Sequence, residues 1–222
     1  MCMPSTVVHL ALAGLIAAAL LGHAFDWRAL AIVLALVVIP DLDAFGGLIV
    51  PGGHRALLHT LLVPVGLAAL VYFDTSVRSS SWLADRLGGH GPRVAWVGIL
   101  AIGFAGIGPD LFGAGANIFY PVHDQFYAFN GKLELSTQRG LVQTFVDLAP
   151  DATDGGGTAV GSTQEVHISS GVDPVRGPEP ATVDRVFPIA RSGTKLLLVL
   201  TSIVVVGIRL VETRLAETDP AK

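Results

Sequence analysis

Residues 7–25 read VVHLALAGLIAAALLGHAF, and His9 and His23 are the only titratable side chains in the run. A helix needs about 20 mostly apolar residues to cross the roughly 30 Å hydrocarbon core of a bilayer. This run therefore predicts a membrane-spanning helix. Because no Lys or Arg precedes Arg28, the run lacks the basic start of a cleaved signal peptide, and we expect it to be retained.

Four further apolar runs follow along the chain, at residues 29–50, 56–73, 94–116 and 194–210. The chain has 222 residues, of which 51% are apolar and 14% charged, and such a balance is typical of a membrane protein. We expect an all-α fold, a polytopic integral membrane helix bundle of about five transmembrane helices. In this prediction residues 1–116 form the first four helices, residues 117–192 form a long polar loop, and residues 193–222 form the last helix and a short tail.

The second run is interrupted by carboxylates. Only the residues from 29 to 40 precede Asp41, and at 1.5 Å per residue they span roughly 18 Å. Asp43 follows two residues later. Either the two carboxylates lie at membrane depth inside the bundle, or the run is a half-helix that ends in a protein-lined cavity.

The long loop is acidic, with nine Asp and Glu against five Lys and Arg. Its residues 147–180 are rich in Gly, Ser, Thr, Asp and Pro, which predicts a poorly ordered or weakly β-structured segment. Nucleic acid is excluded as a partner because an acidic segment is repelled by phosphate. The chain has three Lys against eleven Arg, a ratio that either a high-salt source or a GC-rich coding bias produces.

Arginine is biased to one side of the predicted bundle, as basic residues are biased to the cytoplasm. The residues concerned are Arg28, Arg78, Arg86, Arg93, Arg209 and Arg214. We therefore expect a multi-pass protein of the plasma membrane, with its N-terminus and long loop outside and its C-terminus in the cytoplasm. The lipid bilayer is its expected partner.

This arrangement gathers the remaining polar residues at the outer ends of the first four helices. They are His9, Asp41, Asp43, His54, Arg55, His59, Asp110, His123 and Asp124. Ionisable residues at the membrane edge are costly, so several of them at one depth predict a functional site. Reversing the whole topology would keep them together on the other side.

The residue types in this group are those of a metal site. Hard divalent ions prefer carboxylate oxygens, neutral imidazole is a common ligand, and Arg suits phosphate or carboxylate. The single cysteine, Cys2, excludes a thiolate cluster. Each motif also has a structural explanation: Asp41 and Asp43 as a helix cap or polar loop, His9 as a packing residue, and the others as interfacial anchors.

The order of these motifs resembles the YdjM-like family of membrane-bound metal-dependent hydrolases. They are Pro4-x-x-x-x-His9, Pro40-Asp-Leu-Asp43, His54-Arg55-x-x-x-His59-Thr60 and Pro109-Asp110 followed by Tyr120-Pro121. The match spans about residues 4 to 123 and looks closest to a haloarchaeal branch, and a halophilic archaeon as source would suit the scarce lysine and the acidic loop.

The resemblance implies a site built from the polar residues of these motifs. It implicates His9, Asp41, Asp43, His54, His59 and Asp110, with Arg55 after His54 as the family pattern expects. The family commonly has a His four residues before the helix-four Asp, whereas this chain has Gly106 there. Either a ligand is missing or His123 replaces it.

The leading hypothesis is a metal-dependent hydrolase at the outer membrane face. Its expected metal ligands are His9, Asp41, Asp43, His59 and Asp110, which would hold one or two divalent ions such as zinc, manganese or magnesium. Water activated by the metal would attack the substrate. In the same hypothesis Arg55 grips an anionic group, and His54 or His123 shuttles protons.

A site at the lipid boundary favours a lipid-like or phosphorylated substrate. Two other functions remain open: a transporter-like protein that binds an ion or substrate, and a non-catalytic membrane scaffold. No inverted repeat of the Asp and His pattern supports a transporter. A scaffold would tolerate alanine at the polar positions.

Overall fold

The computed structural model describes residues 5–48, 50, 52–145, 159–166, 168 and 187–218. Its α-helices are α1 (Thr6–Leu20), α2 (Trp27–Val38), α3 (Leu62–Tyr72), α4 (Trp82–Leu87), α5 (Gly91–Ala101), α6 (Gly108–Leu111) and α7 (Gly193–Thr218). Its short strands are β1 (Phe126–Tyr127), β2 (Leu133–Ser136), β3 (Gly140–Gln143) and β4 (Ala159–Gly161). Segments of 3-10 helix occupy Gly22–Ala24 and Pro40–Leu48, and π-helical turns occupy Phe73–Val77 and Ile102–Ile107.

Three helical segments in the described residues are long and apolar enough to cross a membrane: Trp27–Gly46, Gly91–Leu111 and Gly193–Ala216. The chain is therefore mostly helical, with the composition of a membrane protein. Two further apolar helices are shorter, Thr6–Leu20 and Leu62–Val77. The 15 residues of the first span only about 22 Å, so the five crossings expected from the sequence stay a prediction.

The first helix lies at the centre of the bundle, where α1 packs against α2, α5 and α7, and α2 packs against α5. The buried core between them is built from small and β-branched residues, among them Ala13, Ala17, Val33, Val37, Val97 and Ala101. Small side chains let helix backbones approach closely. At Gly14 a Cβ atom would lie 3.0 Å from Ser202 Oγ on α7, so this glycine fixes the spacing of α1 and α7.

The second helix changes its form where the carboxylates begin. Pro40 has no N–H to donate to the carbonyl four residues before it. The turn tightens instead, and Ile39 N donates to Leu36 O at 3.2 Å and Leu42 N donates to Ile39 O at 3.1 Å. The chain then continues as a 3-10 helix over Pro40–Leu48, which carries Asp41 and Asp43 to the end of the bundle.

The third helix begins at Leu62 rather than near residue 56, where its apolar run begins. Most of residues 52–61 form turns and bends, and residues 53–56, 59 and 60 are buried. Backbone hydrogen bonds hold this segment to the chain after α6: Asn117 N donates to Arg55 O at 2.8 Å, and Leu61 N donates to Ile118 O at 2.9 Å. Such irregular backbone at a membrane edge is tolerated where protein surrounds it.

The polar region before α7 contains two small antiparallel sheets, in which β1 pairs with β4 and β2 pairs with β3. Asp124 ties this region together, because its carboxylate accepts from Asn117 Nδ2 at 2.7 Å and from Thr163 Oγ1 at 2.7 Å. Within the segment predicted to be poorly ordered or weakly β-structured, residues 159–161 form β4. Residues 147–158, 167 and 169–180 of that segment lie outside the described residues.

Candidate metal centre

Three side chains from three different elements meet at one end of the bundle. His9 lies near the start of α1, Asp41 on the 3-10 helix that follows α2, and Asp110 in α6. One ligand atom from each residue lies within 4.8 Å of the other two. The structure therefore brings together three of the five predicted metal ligands in an arrangement that could hold an ion.

The ring of His9 is oriented by a backbone carbonyl. Its Nδ1 lies 2.5 Å from Ala105 O, and since a carbonyl can only accept, Nδ1 carries the proton. Pro109 stands four residues after Ala105 and has no N–H, so this carbonyl lacks its usual partner within the helix. The other ring nitrogen, Nε2, is then left with a free lone pair, as a metal ligand requires.

Asp110 lies between two cationic partners. Arg55 Nη2 is 2.8 Å from Asp110 Oδ1, and His59 Nε2 is 2.9 Å from Asp110 Oδ2. Both contacts are close ion pairs, at distances typical of charge-assisted interactions. His9 Nε2 lies 3.6 Å from the same Oδ1. We call His9, Asp41 and Asp110 the trio. Through Asp110 the trio is in contact with Arg55 and His59.

Asp43 acts on His59 rather than belonging to the trio. Its Oδ2 lies 2.9 Å from His59 Nδ1 and accepts from Leu58 N at 3.2 Å. This contact directs His59 Nε2 toward Asp110 and toward Asp41, whose Oδ1 is 3.9 Å away. A carboxylate behind a ligating imidazole orients the ring and raises its basicity. His59 therefore borders the trio, with Asp43 behind it.

His59 lies outside the helices, and its surroundings determine its protonation. Burial alone would lower the pKa of this imidazole, but the neighbouring carboxylates of Asp110 and Asp43 raise its pKa to about 9. Without a metal ion, His59 is therefore protonated at neutral pH. Its positive charge then offsets part of the negative charge that the carboxylates place in this buried region.

Asp41 is the most exposed member of the trio. Its side chain is 23% exposed, against 2% for His9 and 1% for Asp110. Thr6 Oγ1 donates to Asp41 Oδ2 at 2.5 Å, which holds the carboxylate against the first turn of α1. The cluster is therefore open on the side where Thr6 and Asp41 meet.

Arg55 has an unusual backbone conformation for a residue with a side chain. Its φ angle is +62°, in the left-handed region that costs an L-residue roughly 1–2 kcal/mol. Asn117 N holds the Arg55 carbonyl, and the side chain is 4% exposed. Among the described residues Nη1 of Arg55 has no hydrogen-bond partner. Strained residues of this kind cluster at functional sites.

His54 is buried beside this cluster. Its Nδ1 lies 2.6 Å from Ile168 O, so Nδ1 carries the proton and Nε2 is the basic nitrogen. Desolvation by burial lowers the pKa of His54 below its ordinary value, although the nearby Asp43 acts in the opposite direction. His54 is therefore a neutral imidazole at neutral pH.

Two further residues from the sequence prediction lie apart from the trio. His123 is exposed, and its ring lies near that of Tyr127 in a tilted arrangement, with ring centroids 6.3 Å apart. None of the described contacts joins it to the trio, so its predicted roles as a replacement ligand or proton shuttle gain no support from the geometry. Asp124 is engaged with Asn117 and Thr163, which gives it a structural role.

Gly106 lies in the π-helical turn and is buried. A Cβ atom at this position would lie 3.4 Å from Pro40 Cγ and 3.5 Å from Val37 O. The glycine therefore faces the end of α2, and packing accounts for a small residue here. The imidazole of the trio comes from α1 instead, through His9.

The residues present fit a divalent cation. The trio offers one imidazole nitrogen and two carboxylates, a donor set that zinc, manganese or magnesium accepts to different degrees. Both oxygens of Asp110 and Oδ1 of Asp43 are buried without a hydrogen-bond partner among the described residues. Both Asp110 oxygens already form ion pairs with Arg55 and His59, and each keeps a further lone pair with which it could bind a cation.

Two contributors to the site are absent from the sequence prediction. The first is the carbonyl of Ala105, which accepts from His9. Pro109 in the sequence indicates this role, because a proline has no N–H to donate to the carbonyl four residues before it. The second is Thr6, which holds Asp41. A threonine before an apolar run is too common to single out, so no sequence signal identified it.

Comparison with known proteins adds no relative to this description. No protein-family model, no curated protein and no solved structure matches the chain.

Proposed function

We propose that this chain is a membrane-bound metal-dependent hydrolase. The observation that carries the proposal is the approach of His9, Asp41 and Asp110 to within 4.8 Å of one another, with the proton of His9 held on the nitrogen that faces Ala105. Three separate elements thus each place one metal-ligand atom in the same small region before any ion binds. The order of the motifs, which resembles that of the YdjM-like family, supports the same proposal.

In this proposal each residue has a defined role. His9, Asp41 and Asp110 hold the metal, His59 borders it as a fourth ligand, and Asp43 orients His59. A bound divalent ion would supply Lewis acidity and bring the pKa of a water molecule toward neutrality.

Two further side chains act beside the metal ligands. Arg55 forms an ion pair with Asp110 and holds it in place, and its Nη1, which has no hydrogen-bond partner among the described residues, would donate to an anionic group of the substrate. His54 is neutral with a basic Nε2, so it can take up a proton.

The membrane arrangement belongs to the same proposal. We infer that α1 and the segment Leu62–Val77 also cross the membrane, which gives five crossings. The arginine bias supports a plasma-membrane protein with the N-terminus and the long loop outside and the C-terminus in the cytoplasm. The cluster then lies at the outer face, where a lipid-like or phosphorylated substrate is available.

A non-catalytic ion-binding membrane protein is the competing proposal. It is favoured by one observation, the burial of the cluster, since the side chains of His9 and Asp110 are 2% and 1% exposed. A buried cation site of this kind would hold an ion tightly for structure or transport. It predicts metal binding without turnover.

The test is a metal-dependent activity assay on the full chain in detergent. The protein is loaded with zinc, manganese or magnesium and offered p-nitrophenyl phosphate and p-nitrophenyl butyrate. We expect turnover that chelation removes and that Asp41→Asn abolishes, whereas Asp85→Asn, an exposed carboxylate in α4, leaves it unchanged. Stoichiometric metal without turnover of either compound would favour the ion-binding protein instead.

A further inference from the structure

The trio is accessible from the surface beside the 3-10 helix Pro40–Leu48. Asp41 is its most exposed member, and Asp41 belongs to the 3-10 helix Pro40–Leu48. The candidate membrane span Trp27–Gly46 includes most of this 3-10 helix. The opening of the site is therefore part of an element that has the composition of a membrane-spanning segment.

The same 3-10 helix presents an apolar ridge beside the opening. A 3-10 helix has 3.0 residues per turn, so residues three apart lie on one face. Leu42, Phe45 and Leu48 have this spacing and are 52%, 50% and 57% exposed. Asp43 and Gly46, one position further along, are buried. We call the three exposed side chains the apolar ridge. Leu42 and Phe45 lie within the candidate span Trp27–Gly46 and Leu48 lies just beyond it, so the ridge faces lipid if this segment crosses the membrane.

The polar region covers another side of the site. His54 Nδ1 contacts Ile168 O at 2.6 Å, and Asn117 N bonds the Arg55 carbonyl at 2.8 Å. Ala56, Phe126 and Ile168 form a buried cluster above this segment. His54 and Arg55 are thus buried beside the loop after α6 and Ile168. Approach along the apolar ridge avoids this cover.

The positive charge of Arg55 indicates which kind of chemical group the site binds. Arg55 is 4% exposed and adjoins the trio through its 2.8 Å contact with Asp110. Its Nη1 has no hydrogen-bond partner among the described residues. A buried guanidinium with a free donor beside a candidate cation site favours an anionic group, and its planar fork matches phosphate.

From these observations we propose that the substrate is a membrane lipid with a phosphate headgroup. Its headgroup reaches the trio past Asp41 and contacts Arg55, while its acyl chain lies along the apolar ridge. This inference rests on the proposed hydrolase function. Hydrolysis breaks the P–O bond to the lipid, the hydroxyl of water passes to phosphorus, and its proton passes to the leaving lipid oxygen.

Photolabelling tests the binding mode without relying on activity. The full chain is reconstituted in phosphatidylcholine vesicles with a trace of phosphatidic acid whose acyl chain carries a diazirine. After irradiation and trypsin digestion, two peptides are compared. Residues 29–55 contain the apolar ridge, and residues 196–209 contain an exposed apolar part of α7 that serves as the internal control.

Competition then separates a binding site from general lipid contact. We expect unlabelled phosphatidic acid at about ten times its dissociation constant to lower the labelling of residues 29–55 about tenfold by mass action. An equal excess of phosphatidylcholine should have no effect, and labelling of residues 196–209 should not respond to either lipid. Equal competition by the two lipids, or none, would overturn the proposal.

Phosphate release from dioleoyl phosphatidic acid completes the test. We expect release that depends on added manganese or zinc. Turnover of p-nitrophenyl phosphate without release from phosphatidic acid would overturn the lipid assignment and leave the hydrolase standing. Selective labelling without metal-dependent turnover of either compound would refute the hydrolase, and the assignment of a substrate would fall with it.

Discussion

The backbone of Arg55 yields a quantitative prediction, because alanine and glycine at this position remove the same guanidinium but differ in backbone freedom. Removing one partner of a buried ion pair costs roughly 3–5 kcal/mol. His59 and His9 remain beside Asp110 and offset part of its charge, so we expect a cost near the lower end, about 3 kcal/mol. Both Arg55→Ala and Arg55→Gly should show this loss.

The difference between the two variants reports the strain at φ +62°. Alanine retains a penalty of about 1–2 kcal/mol for the left-handed conformation, whereas glycine adopts it freely. Glycine also gives the unfolded chain more freedom, which costs about 0.5–1 kcal/mol. Subtracting the midpoints of these two ranges, we expect Arg55→Gly to be about 0.8 kcal/mol more stable than Arg55→Ala.

Thermal unfolding in detergent, followed by tryptophan fluorescence, measures both effects. A change of 1 kcal/mol corresponds to about 2–4 °C in a chain of this size, so the glycine variant should melt about 2 °C above the alanine variant. Arg86 provides the control, since it lies in α4, where alanine is favoured over glycine by up to about 1 kcal/mol. An alanine variant at residue 55 that melts at or above its glycine counterpart would refute the strain argument.

Three further predictions follow from single contacts. Asp43→Asn should weaken metal affinity about 10- to 100-fold by removing the charge behind His59, measured by competition with a fluorescent chelator, while Asp85→Asn should not. Gly14→Leu should lower the thermal midpoint because α7 is in contact there, whereas Gly207→Leu, with open space around it, should not. Asp74→Ala removes the acceptor of two backbone N–H groups that begin α4, so limited trypsin digestion should cut near α4 faster, with metal affinity unchanged.

The membrane class and the gathering of polar residues were predictable from the sequence. Long apolar runs indicate segments with the composition of membrane helices. The contacts of Thr6 with Asp41 and of His9 with Ala105 place the start of α1 beside the 3-10 helix after α2 and the π-helical turn after α5. His9, Asp41 and Asp110 accordingly meet in the structure, as the sequence argument expected. The predicted number of membrane crossings is harder to read from the sequence, because it depends on helix length. Two of the five apolar runs form helices shorter than 18 residues, Thr6–Leu20 and Leu62–Val77.

The sequence could not predict which carboxylate belongs to the trio and which contacts His59, because these roles depend on tertiary contacts. The spacing of Asp41 and Asp43 suggested two equivalent ligands. In a 3-10 helix with 3.0 residues per turn, however, residues two apart lie on different faces. Asp43 therefore lies behind His59 while Asp41 faces the trio. His123 follows the helix break closely in sequence, yet the loop turns it outward.

The central claim is that His9, Asp41 and Asp110 hold a metal ion, and metal content measures it directly. Elemental analysis of the purified full chain should find close to one divalent ion per chain, the occupancy of a single site. Asp41→Asn is the most informative variant because Asp41 is partly exposed, so its replacement preserves the fold; it should lose the ion, whereas Asp85→Asn should keep it. Equal, sub-stoichiometric metal in all three proteins would contradict the claim.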